Sequence, residues 1–444
     1  MRRRLPVRAV CSVSVIVTLI TGCTSANDAR DDGSTDPSPT AVTTSAPPIA
    51  ATPSPPGQTT SFETSGRRIR IASAGGGSFH VRGTYPWSPS RCVSSEATSL
   101  DARYPGALSI RTVDDGTLTV TVTISFQEYL EGIAEVPPTW PRAALEAQVI
   151  AARSYVLSRT GWAGAEGGAL DSPICATSDC QVYAGIPRPR PPGIERWHRA
   201  VRDTRGQVLL YGDRPADTVY SSTSNGRTYG NDEVFGSAPL PYLRPVVERD
   251  DGASPLSRWR VELPFDDLAT VLRAAGSWPG GTSIASARVS GSAIRISGGG
   301  ETHTLDASGL RDAVNTWASC LLPGRYPSGG LPVAIPSGWF NVSSGSRGLT
   351  IDGRGWGHGV GMVQWGAYGK AVRGWSAARI LAFYYGGLTP RPYPEPGSLQ
   401  VVVATGIRSL MVDPSRAGAS IGDHELGTRK LRISGGDTVT VSAG

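Results

Sequence analysis

The sequence predicts an α+β fold in which β-rich segments flank a helical pair. Three observations lead there. Alternating apolar and polar runs stand early ("RRIRIAS", "LTVTVTIS") and late ("LRISGGDTVTVSAG"), with the period of half-buried strands. Between them, "PRAALEAQVIAARSYVLSRTG" carries apolar residues at helical spacing. Glycine fills 55 of the 444 positions and charged residues only 18%, a composition of many turns and little long amphipathic helix. Strand and helix signals segregated in this way belong to the α+β class.

Residues 1–22 read as an export signal. "MRRRLPVR" is basic, and "AVCSVSVIVTLI" is apolar but too short to span a bilayer. The stretch ends in "ITGC", which resembles the lipobox of bacterial lipoproteins. That resemblance implies a lipid on Cys23 and an extracytoplasmic chain anchored to the membrane, facing the cell wall. Four arginines leave with the signal, which takes the net charge from +6 to +2. No run of Lys or Arg forms a phosphate-tracking stripe, so nucleic acid is not an expected partner. Residues 23–66, rich in Ser, Thr and Pro, cannot bury enough apolar surface to order themselves and read as a tether.

With Cys11 lost and Cys23 acylated, Cys92, Cys175, Cys180 and Cys320 remain in an oxidising compartment. Disulfides are then expected. Cys175 and Cys180 are close enough to close a small loop, which leaves Cys92 with Cys320.

Residues 67–124 form a β-rich N-terminal module, with "DDG" turning between two strands. Ser125 and Glu128 in "SFQE" make a capping box for the first helix. The chain breaks at "EVPPTWP", and Pro141 suits the first turn of the second helix. There Leu145, Val149, Ala152 and Val156 form the expected buried stripe, and Gly161 the stop. Residues 205–300 return to short strands around a helix centred in "SRWRVELPFDDLATVLRAAG". Ser376 caps "SAARILAFYY", which Gly386 and Gly387 end. Residues 396–444 read as a further β-rich segment.

Glu135 is the most informative acid. It lies just past the C-terminal end of the first helix, where the partial negative charge disfavours a carboxylate. Val136 and Trp140 add an apolar wall. Both effects raise a carboxyl pKa, as a general acid near neutral pH requires. There is no HExxH and no P-loop, and no metal or cofactor is expected. "GASIG" at 418–422 lacks the strand–turn–helix context of a nucleophilic serine.

"YLEGIAEVPPTWPRAALEAQVIAARSYVL" resembles the signature of the SpoIID/LytB family, the stage II sporulation protein D and amidase-enhancer group. "ICATSDCQVYAG", "YSSTSNGRT" and "GRGWGHGVGMVQWGAYGKA" resemble its other three blocks, in the family's order. The resemblance covers about residues 125–395 and implies a SpoIID-like groove that binds peptidoglycan glycan strands. It also implies lytic transglycosylation with Glu135 as general acid and base, leaving 1,6-anhydro-N-acetylmuramic acid ends. The alternative it implies is a non-catalytic peptidoglycan-binding or amidase-enhancer module, with a cell-wall amidase as partner.

The other blocks supply the substrate-binding candidates Arg153, Gln181, Tyr183, Ser222, Asn225, His358, Gln364, Trp365 and Tyr368. Arg153 either binds a substrate oxygen or pairs with a neighbouring acid. Ser222 and Asn225 either face the saccharide or satisfy a polar turn.

The sequence departs from the family in three places. Glu146 stands where the family has Lys, reversing a charge that bears either on the groove or on Glu135. Some members bind zinc through two Cys five apart with a His before the second. Here Asp179 holds the His position, which favours a disulfide over a metal. "SNGRT" replaces a usual Gly-Gly pair.

The last block alternates Gly353, Gly355, Gly357, Gly359 and Gly361 with larger residues. As an extended segment it presents one flat face, suited to close approach of another chain or of a sugar. Trp356 and Trp365 offer stacking planes, and His358, Gln364 and Tyr368 hydrogen bonds. Tight internal packing is the other reading. The family blocks favour a groove wall facing Glu135.

Overall fold

A computed structural model describes residues 62–63 and 67–443 except 74–76, 86–98, 165–169, 171, 188, 292 and 417–418. The signal, Cys23, most of the tether and Cys92 lie outside the described residues.

Two sheets organise the described chain. The seven-stranded sheet runs His424–Gly427, Ala419–Ile421, Arg68–Ser73, Ala107–Thr112, Leu118–Ser125, Ser398–Ile407, Ile174–Cys175. The six-stranded sheet runs Phe62–Glu63, Thr440–Ala443, Leu431–Ser434, Ser409–Pro414, Ser78–Thr84, Ser99–Pro105. The strand patterns 67–124 and 396–444, read apart in the sequence, therefore interleave. Arg68–Ser73 pairs with Ala419–Ile421, and Leu118–Ser125 pairs with Ser398–Ile407. Alternation in "LTVTVTIS" puts Leu118, Val120, Val122 and Ile124 into one buried core.

The chain leaves the sheet at Ser125, whose Oγ accepts from Glu128 N–H while Glu128 Oε2 accepts from Ser125 N–H. This capping box starts α1 (Phe126–Glu131). After the proline-rich loop, α2 (Arg142–Arg159) begins. Gly161, at φ 70°, ends it. Trp162 N–H reaches back to Leu157 and Gly161 N–H to Ser158, the Schellman pattern.

The expected single stripe on α2 is too narrow. Every residue from Ala144 to Leu157 except Glu146 is buried. α3 (Ile194–Asp203), α7 (Gln364–Val372), α8 (Ala377–Tyr384) and the strand Gln207–Tyr211 pack around it. Alanine, serine and short apolar side chains let neighbours approach α2 from all sides, making it the central rod of the domain.

Between α3 and α7 come the short α4 (Asn231–Phe235) and an inserted lobe. The lobe contains α5 (Phe265–Ala274), α6 (Ala307–Leu321) and six strands between Trp259 and Gly353. It has its own core, from Trp259 and Val261 through Leu310 and Val314 to Ile351. α5 fits the expected helix; α3, α4 and α6 are additional to those expected. Asp306 caps α6 by accepting from Gly309 N–H at 2.7 Å, and Ser376 caps α8 as expected. Among the described residues no helix is long and apolar enough to cross a membrane.

Candidate functional site

The site is built on the loop between α1 and α2. Ile133 bridges Tyr183, Ala134 N–H bonds to Val182 O, and Ala184 N–H bonds to Gly132 O. This stitches the loop to the stretch that follows Cys180. Cys175 and Cys180 form a disulfide with their Cα atoms 5.6 Å apart. Ala176 N–H bonds to Val402 O, which docks the knuckle on the large sheet. Cys320 is also disulfide-bonded. With both thiols joined and Asp179 beside them, residues 175–180 do not fit the family's zinc site.

Glu135 is half-buried in this frame. Its Oε1 accepts from Val182 N–H at 2.6 Å, and Gln364 Nε2 lies 3.5 Å from Oε2. Burial pushes its pKa up; the bonds from Val182, Gln364 and the Tyr220 hydroxyl partly oppose the shift. The leading cause is therefore desolvation, not a neighbouring carboxylate. Glu146, the charge-reversed position, is not among the groups acting on Glu135. It pairs with Arg142 at 2.6 Å, and Arg142 also reaches Asp203.

A chain of hydroxyls and amides backs the acid. Tyr220 OH donates to Gln181 Oε1 at 2.7 Å, and Gln181 Nε2 donates to Tyr129 OH at 2.9 Å. Gln181 is fully buried, so it positions Tyr220 and does not meet a substrate. Tyr183 is also buried, with its ring stacked near Tyr104 and Tyr129. Both substrate-binding expectations are corrected on this ground. Tyr220 was missed in the sequence although it opens the "YSSTSNGRT" block; a lone Tyr in a turn-rich stretch carries no spacing signal.

Of the two readings of Arg153, pairing with an acid is the one found. Its guanidinium is fully buried, 2.7 Å from Glu395. It also donates to Thr204 Oγ1, Gln207 O and Val201 O. It holds α2 to the α3 turn.

The glycine block is not an extended strand. Gly353 ends the strand Gly348–Gly353, and Gly355, Gly357, Gly359 and Gly361 all take positive φ. A Cβ at Gly361 would stand 2.0 Å from Val219 O, and one at Gly355 2.6 Å from Thr223 O. The bare backbone therefore packs against residues 219–224. Trp356 and Val360 bridge Thr223 and Tyr229, and Met362–Val363 pairs parallel with Tyr220–Ser221.

That pairing delivers α7, and with it Gln364, beside Glu135. Trp365 N–H bonds to Ser222 O. The Trp365 and Tyr368 rings meet Trp140 at 4.9 and 5.2 Å, forming an aromatic cluster next to the acid. His358 is held neutral: burial lowers its pKa to about 4. Val360 N–H donates to its Nδ1, and the Tyr220 backbone opposes the shift. Ser222 Oγ lies 3.2 Å from Thr223 Oγ1, within the turn. Asn225 Nδ2 donates to Tyr229 OH at 2.7 Å, while its Oδ1 is buried without a donor.

α7 also carries a group the sequence did not single out. Lys370 is fully buried; its Nζ lies 2.9 Å from both oxygens of Glu248 and from Asp250 Oδ2, and 3.2 Å from Tyr384 OH. This cluster clamps α7 to the 248–250 loop and to α8.

Residues 114–211, from before the acid's loop to beyond Tyr183, match the family model described as Stage II sporulation protein (SpoIID). The chain is 29% identical over 296 residues to an amidase enhancer of Bacillus subtilis (strain 168), covering 58% of this chain and 39% of that protein. It is 29% identical over 289 residues to an uncharacterized protein of Brachyspira hyodysenteriae (strain ATCC 49526 / WA1), covering 64% and 71%. It is 25% identical over 328 residues to stage II sporulation protein D of Bacillus subtilis (strain 168), covering 66% and 85%. The match to the amidase enhancer thus spans well under half of that protein's length. Residues 114–211 are thus similar to the SpoIID family, and the wider chain is similar to an amidase enhancer and to stage II sporulation protein D.

Proposed function

We propose that the protein cleaves peptidoglycan glycan strands by lytic transglycosylation, with Glu135 as general acid and then base. The observation that carries this is a half-buried carboxyl whose pKa is raised by burial and on which, among the described residues, no second carboxylate acts. A raised pKa keeps a proton on Glu135 for the glycosidic oxygen between N-acetylmuramic acid and N-acetylglucosamine. As the C1–O bond breaks, that oxygen takes the proton. The Glu135 carboxylate then takes the proton of the muramyl C6 hydroxyl, whose oxygen bonds to C1 and closes the 1,6-anhydro ring. No water enters and no carboxylate nucleophile is needed, unlike the two-carboxylate hydrolases. Val182, Gln364 and Tyr220 orient the carboxylate formed midway. The half-buried Trp365 and Tyr368 rings, backed by the buried Trp140, offer apolar faces to a pyranose. In this reading the chain works outside the membrane, tethered through Cys23.

A second reading is a peptidoglycan-binding module that acts through a cell-wall amidase; the relative named amidase enhancer favours it. Purified chain incubated with peptide-free glycan strands separates the two. Mass spectrometry should show anhydromuramyl ends, and Glu135→Gln should abolish them. Strands that bind without being cut would establish the module instead, and ordinary reducing ends would indicate hydrolysis.

A further inference from the structure

We propose that Phe235, Tyr229 and Trp339 form a second carbohydrate platform, which holds the glycan strand at sugars beyond those at Glu135. The proposal rests on the glycan-strand reading above.

α4 is a fixed turn. Asn231 is buried; its Nδ2 donates to Ser237 Oγ at 2.8 Å and Ala238 O at 2.7 Å, and its Oδ1 accepts from Leu240 N–H at 2.8 Å. Arg227 pairs with Glu233 at 3.0 Å. On this rigid turn Val234 and Phe235 stand 40% and 46% exposed. A large apolar pair held in water by a well-bonded turn marks a contact surface, not a loose loop.

Residue contacts join this surface to the frame of the acid. The Phe235 ring lies 5.2 Å from His358. His358 and Glu135 both have Tyr220 as an electrostatic neighbour, His358 through its backbone and Glu135 through its hydroxyl. One residue on from His358, Gly359 O accepts from Tyr229 N–H. Tyr229 and Trp339 stack 5.3 Å apart and nearly parallel, at 10°. A Cβ at Gly359 would strike the Trp339 ring at 2.5 Å, so the glycine lets that ring approach the backbone closely.

Beside the stack, Asn225 Oδ1 is buried and finds no donor. A buried acceptor without a donor calls for one. The exposed Phe235 ring, near the Tyr229–Trp339 stack and an amide oxygen without a donor, suits a sugar, which has both C–H faces and hydroxyl edges.

The test measures binding by the full chain carrying Glu135→Gln, so that strands are not consumed. The probes are long peptide-free glycan strands and a short oligosaccharide of the same repeat. Adding Phe235→Ala should weaken binding of long strands about three- to tenfold, the range of one aromatic contact. The loss should be confined to long strands, with the melting temperature unchanged, and Phe235→Trp should restore affinity. Unchanged strand affinity in Phe235→Ala overturns the platform alone and leaves Phe235 to a protein partner. No strand binding by the parent overturns both the platform and the glycan-strand reading.

Discussion

The main-chain amide of Val182 donates to Oε1 of Glu135 at 2.6 Å, across 47 residues of sequence. Val182 stands two residues past the Cys175–Cys180 bridge, so the disulfide knuckle sets where the amide points. Geometry at the acid depends on a covalent loop that carries no reacting group. Cys175→Ser with Cys180→Ser should therefore lower activity more than folding. The stability loss from opening so small a loop is about 2 kcal/mol. Denaturant melts beside product analysis check this; full activity in the double variant would sever the link between knuckle and acid.

Glu135 itself should weaken the fold at neutral pH. Its pKa is raised by burial, so the folded state holds the proton more tightly than the unfolded chain does. That contribution is present in full below the unfolded value, about pH 4.3, and is lost as pH rises through the folded one. Glu135→Gln, which never ionises, should match the parent in melting temperature near pH 4 and exceed it increasingly toward pH 8. A variant less stable than the parent at pH 8 contradicts the raised pKa.

Tyr220 is a positioning residue with a signature of its own. Its hydroxyl favours the ionised form of Glu135 and so opposes the upward shift. Tyr220→Phe should push the Glu135 pKa further up and carry the alkaline limb of the pH–activity profile with it. The rate at the optimum should fall about tenfold, because the bond from Tyr220 OH to Gln181 Oε1 is lost and a buried acceptor is left unpaired. A simple packing defect would lower activity without moving the limb.

Lys370 holds two carboxylates in place from inside the protein. Lys370→Met strips Glu248 and Asp250 of their buried counter-charge and should cost about 3–5 kcal/mol. Urea unfolding reads the loss, and Glu248→Gln added to Lys370→Met should recover part of it. An additive double variant would mean that the contacts are not coupled.

The strand and helix signals near residues 118–160 were legible because they are local. Capping by Ser125, alternation in "LTVTVTIS" and the stop at Gly161 each depend on residues within one turn. α6 carries an equally local signal, with Asp306 as cap and Leu310, Ala313, Val314 and Ala318 buried at helical spacing. Glu135 was legible through its helix terminus and the family block, and its burial through Val136 and Trp140 nearby. Partnerships across the chain were not. Nothing near Arg153 in sequence announces Glu395, and nothing near Lys370 announces Glu248. The glycine block misled for a related reason. A two-residue period reads as a strand, but positive φ at alternate residues follows from what packs against them.

The interleaved sheets govern the order in which the molecule can form. Arg68–Ser73 and Ser78–Thr84 take their partners Ala419–Ile421 and Ser409–Pro414 from more than three hundred residues later. Chain closure over such a span is slow, and until it happens both early strands carry unsatisfied edges. A chain emerging N-terminus first cannot complete either sheet until the strands after Ser398 have followed. Loss of those strands would therefore leave no smaller stable domain around Glu135, because Leu118–Ser125, which launches α1 toward the acid, is itself paired along Ser398–Ile407.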